Sequence, residues 1–283
     1  MPPRGAPRRL RLDAELVRRG VARSREHASE LIGAGRVKVN GVVAGKPATG
    51  VTTDVAIVVT EDPDRPDYVS RGGHKLAGAL AAFEPSGLTV RGRRCLDAGA
   101  STGGFTDVLL RAGAAEVVAV DVGYGQLAWG LRQDERVRVH DRTNVRELTT
   151  EVIGGPVDVV VGDLSFISLS LVLDALLAVT RPDGDLALMV KPQFEVGKDR
   201  VGKGGVVREP ALRAEAVQAV ADAAGRRGWG ARALTTSPLP GPSGNVEFFL
   251  WLHAGDAAVT ADQIRAEAER SAGLGVPGER LGP

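Results

Sequence analysis

Apolar positions along this chain follow one rhythm up to about residue 60 and another beyond it. From residue 69 onward, short apolar runs alternate with stretches of helical spacing. The runs at 93–97, 116–121, 137–141, 157–162, 185–191, 231–236 and 246–252 read as strands. The stretches at 73–83, 103–112, 125–132, 169–179 and 210–227 read as helices. Such alternation predicts an α/β fold, a mostly parallel sheet with helices on both faces. Ligands of such sheets bind at the carboxyl ends of the strands.

Before residue 60 the pattern is finer. Leu12, Leu16 and Val17 give one helical face, closed by Arg18, Arg19 and Gly20, with cations at the helix's negative end. Ser24 is placed to cap a second helix over 25–34, with Ala28, Leu31 and Ile32 inward and Gly35 as its stop. Asn40-Gly41 between valine-rich arms predicts a hairpin over 37–43, and 55–59 supplies a further strand. Residues 61–67 are polar and proline-rich, which reads as a linker. The expected organisation is a small α+β domain over 1–60, a linker over 61–68 and the α/β domain over 69–255. A tail over 256–283 follows, with one helical stretch.

A net charge of +1 conceals an asymmetry. Residues 1–60 hold 11 Lys+Arg against 5 Asp+Glu, and the remainder holds 25 against 30. A basic head on a mildly acidic body suggests a nucleic-acid-binding module joined to an enzyme. The plain alternative is a solvated helical surface. Cys95 is the only cysteine, so an internal disulfide and a cysteine-cluster zinc site are both excluded, and no metal is called for. No apolar run reaches the roughly 18–20 residues of a membrane span. The basic start lacks the apolar stretch of a secretion signal, so the expected location is the cytoplasm.

The most specific segment is 97–105, Asp-Ala-Gly-Ala-Ser-Thr-Gly-Gly-Phe, between an apolar run and a helical one. Its small residues let backbone approach a ligand, and N–H groups at the helix start face it. No Walker lysine follows, so the turn is not built for a triphosphate. A second strand ends in Asp121, about 20 residues on, where an acidic residue takes the hydroxyls of a ribose. An adenosine-like ligand is implied, and S-adenosylmethionine (SAM) fits best.

Three charged residues lie at predicted strand ends in apolar surroundings: Asp163 after 159–162, Lys191 after 186–190, and Glu247 at the start of the last strand. Lys75 opens the helix before the first strand. A lysine directly after five apolar residues costs desolvation unless it is paired. For any one of these residues, a structural ion pair at a sheet edge is the simpler account. As a set, Lys75, Asp163, Lys191 and Glu247 resemble the Lys-Asp-Lys-Glu tetrad of FtsJ-type RNA ribose 2′-O-methyltransferases. A ribose hydroxyl is a poor nucleophile, and SAM needs only an aligned oxygen behind its methyl group. Positioning and help with the proton are therefore the catalytic requirement. The resemblance assigns Lys191 to the reacting hydroxyl, Asp163 to placing Lys191, and Lys75 with Glu247 to orienting and tuning it. It also implies a Rossmann-like sheet whose last strand is inserted antiparallel.

Residues 8–60 resemble an S4 RNA-binding domain, through 11–13, 18–20, 22–25, 28–32 and 35–41. Arg11, Arg18, Arg19, Arg23, Arg25, Arg36 and Lys38 would grip folded RNA by its phosphates. From residue 10 to about 252 the chain resembles the TlyA family of bacterial rRNA 2′-O-methyltransferases, sometimes called haemolysins. The matching stretches are 68–76, 95–106, 121–127, 162–168, 190–195 and 237–247. The resemblance implies methylation of cytidine ribose in 16S and 23S rRNA, which in this family supports binding of capreomycin-class antibiotics. Shorter members act on the large subunit only. The implied partners are ribosomal RNA and ribosomal subunits, with no membrane and no obligate protein partner.

Within the resemblance, Asp97, Gly99, Ser101, Gly103 and Phe105 form the turn that would cradle the methionine part of SAM. Asp121 would take the ribose, Val122 would flank the adenine, and the stretch Asp141-Arg142-Thr143-Asn144, after the third strand, would contact the adenine, with a plain capped turn as the simpler account of it. Phe166 is read either as core or as a stacking partner for a flipped base. Lys198 and Arg200 lie in a glycine-rich, basic stretch read as a mobile RNA-contacting loop. Two other classes compete. A non-catalytic ribosome-binding factor predicts a broken tetrad or turn, and a membrane-active haemolysin predicts an apolar span, an amphipathic basic helix or an export signal. The sequence offers neither.

Overall fold

A computed structural model describes residues 9–60 and 66–274. The chain divides into two compact units, Met1–Asp67 and Tyr68–Pro283. The expected linker falls largely on 61–65, outside the described residues, as do the arginine-rich start (1–8) and the end of the tail (275–283).

The first unit runs β1 (Leu10–Arg11), α1 (Leu12–Arg18), α2 (Arg25–Gly33), β2 (Val37–Val39), β3 (Val42–Val43), β4 (Gly50–Val51) and β5 (Ile57–Val59). Leu12, Leu16, Ala28, Leu31, Ile32 and Val37 form its core. Ser24 caps α2, its hydroxyl accepting the His27 N–H at 3.1 Å. Asn40 and Gly41 both take positive φ, 49° and 81°, which a two-residue hairpin turn between β2 and β3 requires. β2 lies between β3 and β5, antiparallel to both. The β1–β4 pair was not foreseen, because two-residue strands leave no periodicity. Asp67 belongs to this unit through Arg36, at 2.7 Å, and His27.

The second unit begins with α3 (Gly72–Phe83) and β6 (Arg94–Ala98), followed by α4 (Gly104–Arg111), β7 (Glu116–Val120), α5 (Trp129–Arg132) and β8 (Val137–His140). Then come α6 (Thr150–Ile153), β9 (Val157–Gly162), α7 (Leu173–Val179), β10 (Thr180–Val190) and α8 (Pro192–Glu195). It closes with α9 (Pro210–Gly225), β11 (Trp229–Thr236), β12 (Phe248–Ala254) and α10 (Ala261–Arg270). The seven strands order β11-β12-β10-β9-β6-β7-β8. β12 runs antiparallel to both neighbours, and the other pairings are parallel. Alternate residues of each strand serve opposite layers: Leu96, Val160, Leu186 and Leu250 face one, Cys95, Val159, Ala187 and Phe249 the other. β6 pairs with β9 on one side and β7 on the other, so chain direction diverges at its carboxyl end. That switch point is where open α/β sheets bind ligands.

Some boundaries differ from expectation. The helix expected over 125–132 is helical only from Trp129, since 121–126 is a loop whose amides bond to Asp121 and Asp141. The helix expected over 169–179 is split into a 3-10 turn, Leu169–Leu171, and α7. β10 begins five residues early, with an irregular register between Thr180 and Asp185. Glu247 lies one residue before β12 rather than inside it.

Candidate active site

Two cavities meet at the carboxyl ends of β6, β9 and β10. The larger, about 430 Å³, is walled by Gly99, Ser101 and Asp121 on one side and by Leu164, Phe166, Ile167 and Val172 on another. Val122, Asn144 and Val145 complete it. The smaller, about 280 Å³, is lined by Ser70, Arg71 and Lys75, by residues of the turn after β6, and by Asp163, Ser165, Lys191 and Pro240. Gly99, Ser101, Asp163 and Ser165 line both.

The turn after β6 is held from below and from the side. Asp121, at the end of β7, accepts the Ser101 N–H at 2.8 Å and the Gly123 N–H at 2.7 Å. Each oxygen keeps a further lone pair. Gly99 has φ 85°, and Ser101 is one of few non-glycine residues at positive φ. Gly103, at φ 98°, is the N-cap of α4, and a Cβ there would collide with Leu127 and Leu131. Gly103 and Asp97 therefore shape the turn from beneath and line neither cavity. Asp97 is fully buried, and its Oδ2 accepts from Thr106 Oγ1 at 2.7 Å. Its Oδ1 has no hydrogen-bond partner among the described residues. Burial outweighs the Thr106 bond and pushes its carboxyl up to about 7. Phe105 does line the smaller cavity and packs on Phe249.

Lys75, Asp163, Lys191 and Glu247 come together as two ion pairs. Lys75 Nζ lies 2.5 Å from Glu247 Oε2, with both side chains nearly excluded from solvent. Lys191 Nζ lies 2.5 Å from Asp163 Oδ1 and donates to Ser165 Oγ at 2.8 Å. Both lysines and Asp163 line the smaller cavity, and Glu247 holds Lys75 from behind. The loop carrying Glu247 is fixed in turn: Arg71 donates to the Pro240 carbonyl at 3.0 Å, and Ser237 N–H donates to the Glu247 carbonyl at 2.8 Å.

Sequence reasoning missed Ser165, and Gln126, which lines the larger cavity and accepts from Ser101 Oγ at 3.4 Å. Ser165 stands two residues after Asp163, and the register Leu188↔Gly162 sets Lys191 beside it, a signal readable only once the strands are paired. The cavity wall after β8 is formed by Asn144 and Val145, whereas Asp141 is bonded to Arg132 at 2.9 Å and to the Gly125 N–H. Phe166 is not core: it is 91% exposed at φ 64°, its ring 5.3 Å from that of Phe194.

The basic residues of the first unit are organised by acids. Asp13, buried, pairs with Arg11 and Arg25 at 2.8 and 2.9 Å. Glu15, buried, pairs with Arg18 and Arg19 at 2.6 and 2.7 Å. Each cluster keeps one positive charge in excess. Arg36 pairs with Asp67, while Arg23 and Lys38 are exposed. In the second unit, Arg200 forks onto Glu215 of α9, and Lys198 is exposed beside it. The stretch expected to be mobile is tied down at Arg200 and by Asn245, which bonds Val207 N–H and the Gly205 carbonyl. Among the described residues there is no cluster of metal-ligating side chains, and no helix is long and apolar enough to cross a membrane.

Comparison with known proteins places these features. Residues 68–254 match the model of the FtsJ-like methyltransferases, and residues 10–57 match the S4 domain. The chain is 60% identical over 265 residues to the 16S/23S rRNA (cytidine-2′-O)-methyltransferase TlyA of Mycobacterium tuberculosis, covering 93% of this chain and 97% of the relative. It is 36% identical to hemolysin A of Brachyspira hyodysenteriae, covering 84% and 98%. Among solved structures, a protein described as a hemolysin from Streptococcus thermophilus superposes with a TM-score of 0.69 at 36% identity, over 94% of this chain and 96% of that one. The hemolysin name is an older label within one family, and the chain belongs to it: the TlyA family of FtsJ-like methyltransferases with an S4 domain.

Proposed function

We propose that the protein transfers a methyl group from SAM to the ribose 2′-oxygen of a cytidine in ribosomal RNA. The observation that carries this reading is the pair of lysines facing one small cavity, each held by its own carboxylate, at the border of a nucleoside-sized cavity. The 60% identity to an enzyme named for this reaction on 16S and 23S rRNA supports both subunits as targets.

The larger cavity fits the cofactor. Asp121 offers free lone pairs for ribose hydroxyls, and Val122, exposed at the lip, offers apolar surface that an adenine would cover. Of the 141–144 stretch, Asn144 lines the cavity and is the candidate for the adenine edge, its Oδ1 already accepting the Arg146 N–H at 3.1 Å. Gly99 and Ser101 would hold the methionine portion towards the smaller cavity. SAM supplies an electrophilic methyl group there.

The protein's own residues supply the rest. Lys191 orients the 2′-hydroxyl and relays its proton: the ammonium gives a proton to the Asp163 carboxylate, and Lys191 Nζ takes the hydroxyl proton as the oxygen takes the methyl group. Ser165 limits where the Lys191 ammonium can point. Lys75, fixed by Glu247, adds positive charge to the floor of the cavity. Phe166 and Phe194 offer an aromatic platform for a base turned out of its stack, a sequence-tolerant contact. The first unit grips RNA phosphates through the Arg11/Arg25 and Arg18/Arg19 forks with Arg23, Arg36 and Lys38, and Lys198 adds a contact from the second.

The test is incubation with labelled SAM and 30S or 50S subunits that lack the modification, followed by digestion to nucleosides. The reading predicts label in 2′-O-methylcytidine. Label on a base, or none with either subunit, would overturn it.

A further inference from the structure

Glu195 lines neither cavity, yet it joins the two loops that build them. Its Oε2 accepts from Ser168 Oγ at 2.6 Å, and its Oε1 accepts the Leu169 N–H at 2.8 Å. Leu169 opens the 3-10 turn that ends the loop after β9. That loop carries Asp163, Ser165 and Phe166. Glu195 itself ends α8, the segment after β10 that carries Lys191 and Phe194. Burial pushes the Glu195 carboxyl up against these two bonds, and no cation pairs with it among the described residues.

The loop needs such a hold. Phe166, at φ 64°, sits in a left-handed conformation that a non-glycine residue keeps only where its surroundings enforce it. The Glu195 bonds fall two and three residues downstream of it. At the other end, the loop is fixed by Asp163 N–H donating to the Ala98 carbonyl at 3.2 Å. Between these points the Lys191 bonds and the Phe166–Phe194 contact join the loop to α8 and its strand.

We propose that Glu195 is a positioning residue for methyl transfer: it clasps the loop over 163–168 against the segment over 191–195, so that Lys191 keeps Asp163 and Ser165 as partners and the two phenylalanine rings stay paired. Its effect on rate rests on the methyl-transfer reading above, whereas its hold on the loop rests on geometry alone. The contact is made through Glu195's side chain, so conservative variants separate its parts. Glu195→Gln keeps an oxygen for Leu169. Glu195→Asp keeps the charge but is one methylene short.

The experiment uses the full chain as wild type, Glu195→Ala, Glu195→Asp and Glu195→Gln. Hydrogen exchange over 163–172 is measured beside single-turnover methyl transfer to unmodified subunits and RNA affinity by filter binding. In the Ala and Asp variants the loop amides exchange faster and transfer slows by about ten-fold or more, because small misplacements of reacting groups are costly. RNA affinity, set mainly by the phosphate contacts of the first unit, falls by less than the rate does, and Gln recovers most of the rate. Loop exchange at the wild-type rate in the Ala and Asp variants would overturn the proposal, as would a loosened loop with undiminished transfer. Equal slowing in all three variants would also overturn it. If the wild type transfers no methyl group, the functional reading fails separately, and exchange still decides whether Glu195 holds the loop.

Discussion

Lys191 Nζ lies 2.5 Å from Asp163 Oδ1, and the two residues follow adjacent parallel strands whose register pairs Leu188 with Gly162. Neither side chain could be placed so by a single loop. The pairing of β9 with β10 brings them together, and each strand's apolar residues fix that pairing from both faces. The sheet therefore sets where the two side chains meet.

The Lys75–Glu247 pair is buried, so removing one partner leaves an uncompensated charge. Glu247→Ala is expected to cost about 3–5 kcal/mol, which lowers the melting temperature by roughly 10 °C in a unit of this size. Lys75→Met combined with Glu247→Leu recovers most of that stability and none of the activity. Thermal melts read beside the transfer assay check both parts.

Glu15 organises Arg18 and Arg19, and their guanidinium groups hold its carboxyl down at about 2. Glu15→Ala frees Arg18 and leaves Arg19 held by the Val55 and Thr53 carbonyls, so RNA affinity falls several-fold while the salt dependence of binding stays nearly the same, since no cation is lost. Because the folded value is depressed, the stabilisation is complete above the unfolded value of 4.5 and is lost as pH falls towards 2. Filter binding at several salt concentrations, and acid unfolding of wild type against the variant, test this.

Asp97 behaves with the opposite sign. Its folded value of about 7 lies above its unfolded value of 3.8, so the folded state binds more protons between these two limits. Its contribution to stability falls as pH rises from about 4 to about 7. Asp97→Asn, which keeps an oxygen for Thr106, removes that slope. Melting temperatures across pH 4 to 8 should show a flatter profile in the variant.

In the larger cavity, Asp121→Ala removes both the acceptor for ribose and the brace of the turn, and SAM affinity is expected to fall by more than ten-fold. Asn144→Ala is expected to cost about 1 kcal/mol, near five-fold, as the loss of one hydrogen bond. Calorimetric titration with SAM ranks the two, and equal affinities would remove Asn144 from the adenine site.

Much of this was legible before the structure. Apolar runs and turn residues marked the strands because sheet burial imposes them, and Asp163, Lys191 and Glu247 stood out as charges at the ends of apolar strands. Ser165, Gln126 and Glu195 did not, because a polar residue in a polar loop carries no local signal; their positions depend on which strands pair. Asp141 shows the converse. It sits at a strand end as expected, but Arg132, nine residues earlier, is close enough to occupy it. Likewise the pairing of Asp13 and Glu15 with two arginines each emerges only on folding.

The most direct test of the central claim is single-turnover transfer from labelled SAM to unmodified subunits by the wild type and by Lys191→Ala, with SAM and RNA affinities measured in parallel. The account predicts that both affinities stay close to wild type while ribose methylation by the variant falls by at least a hundred-fold, in line with the typical contribution of general acid–base groups. Transfer by Lys191→Ala at a rate near that of the wild type would contradict it.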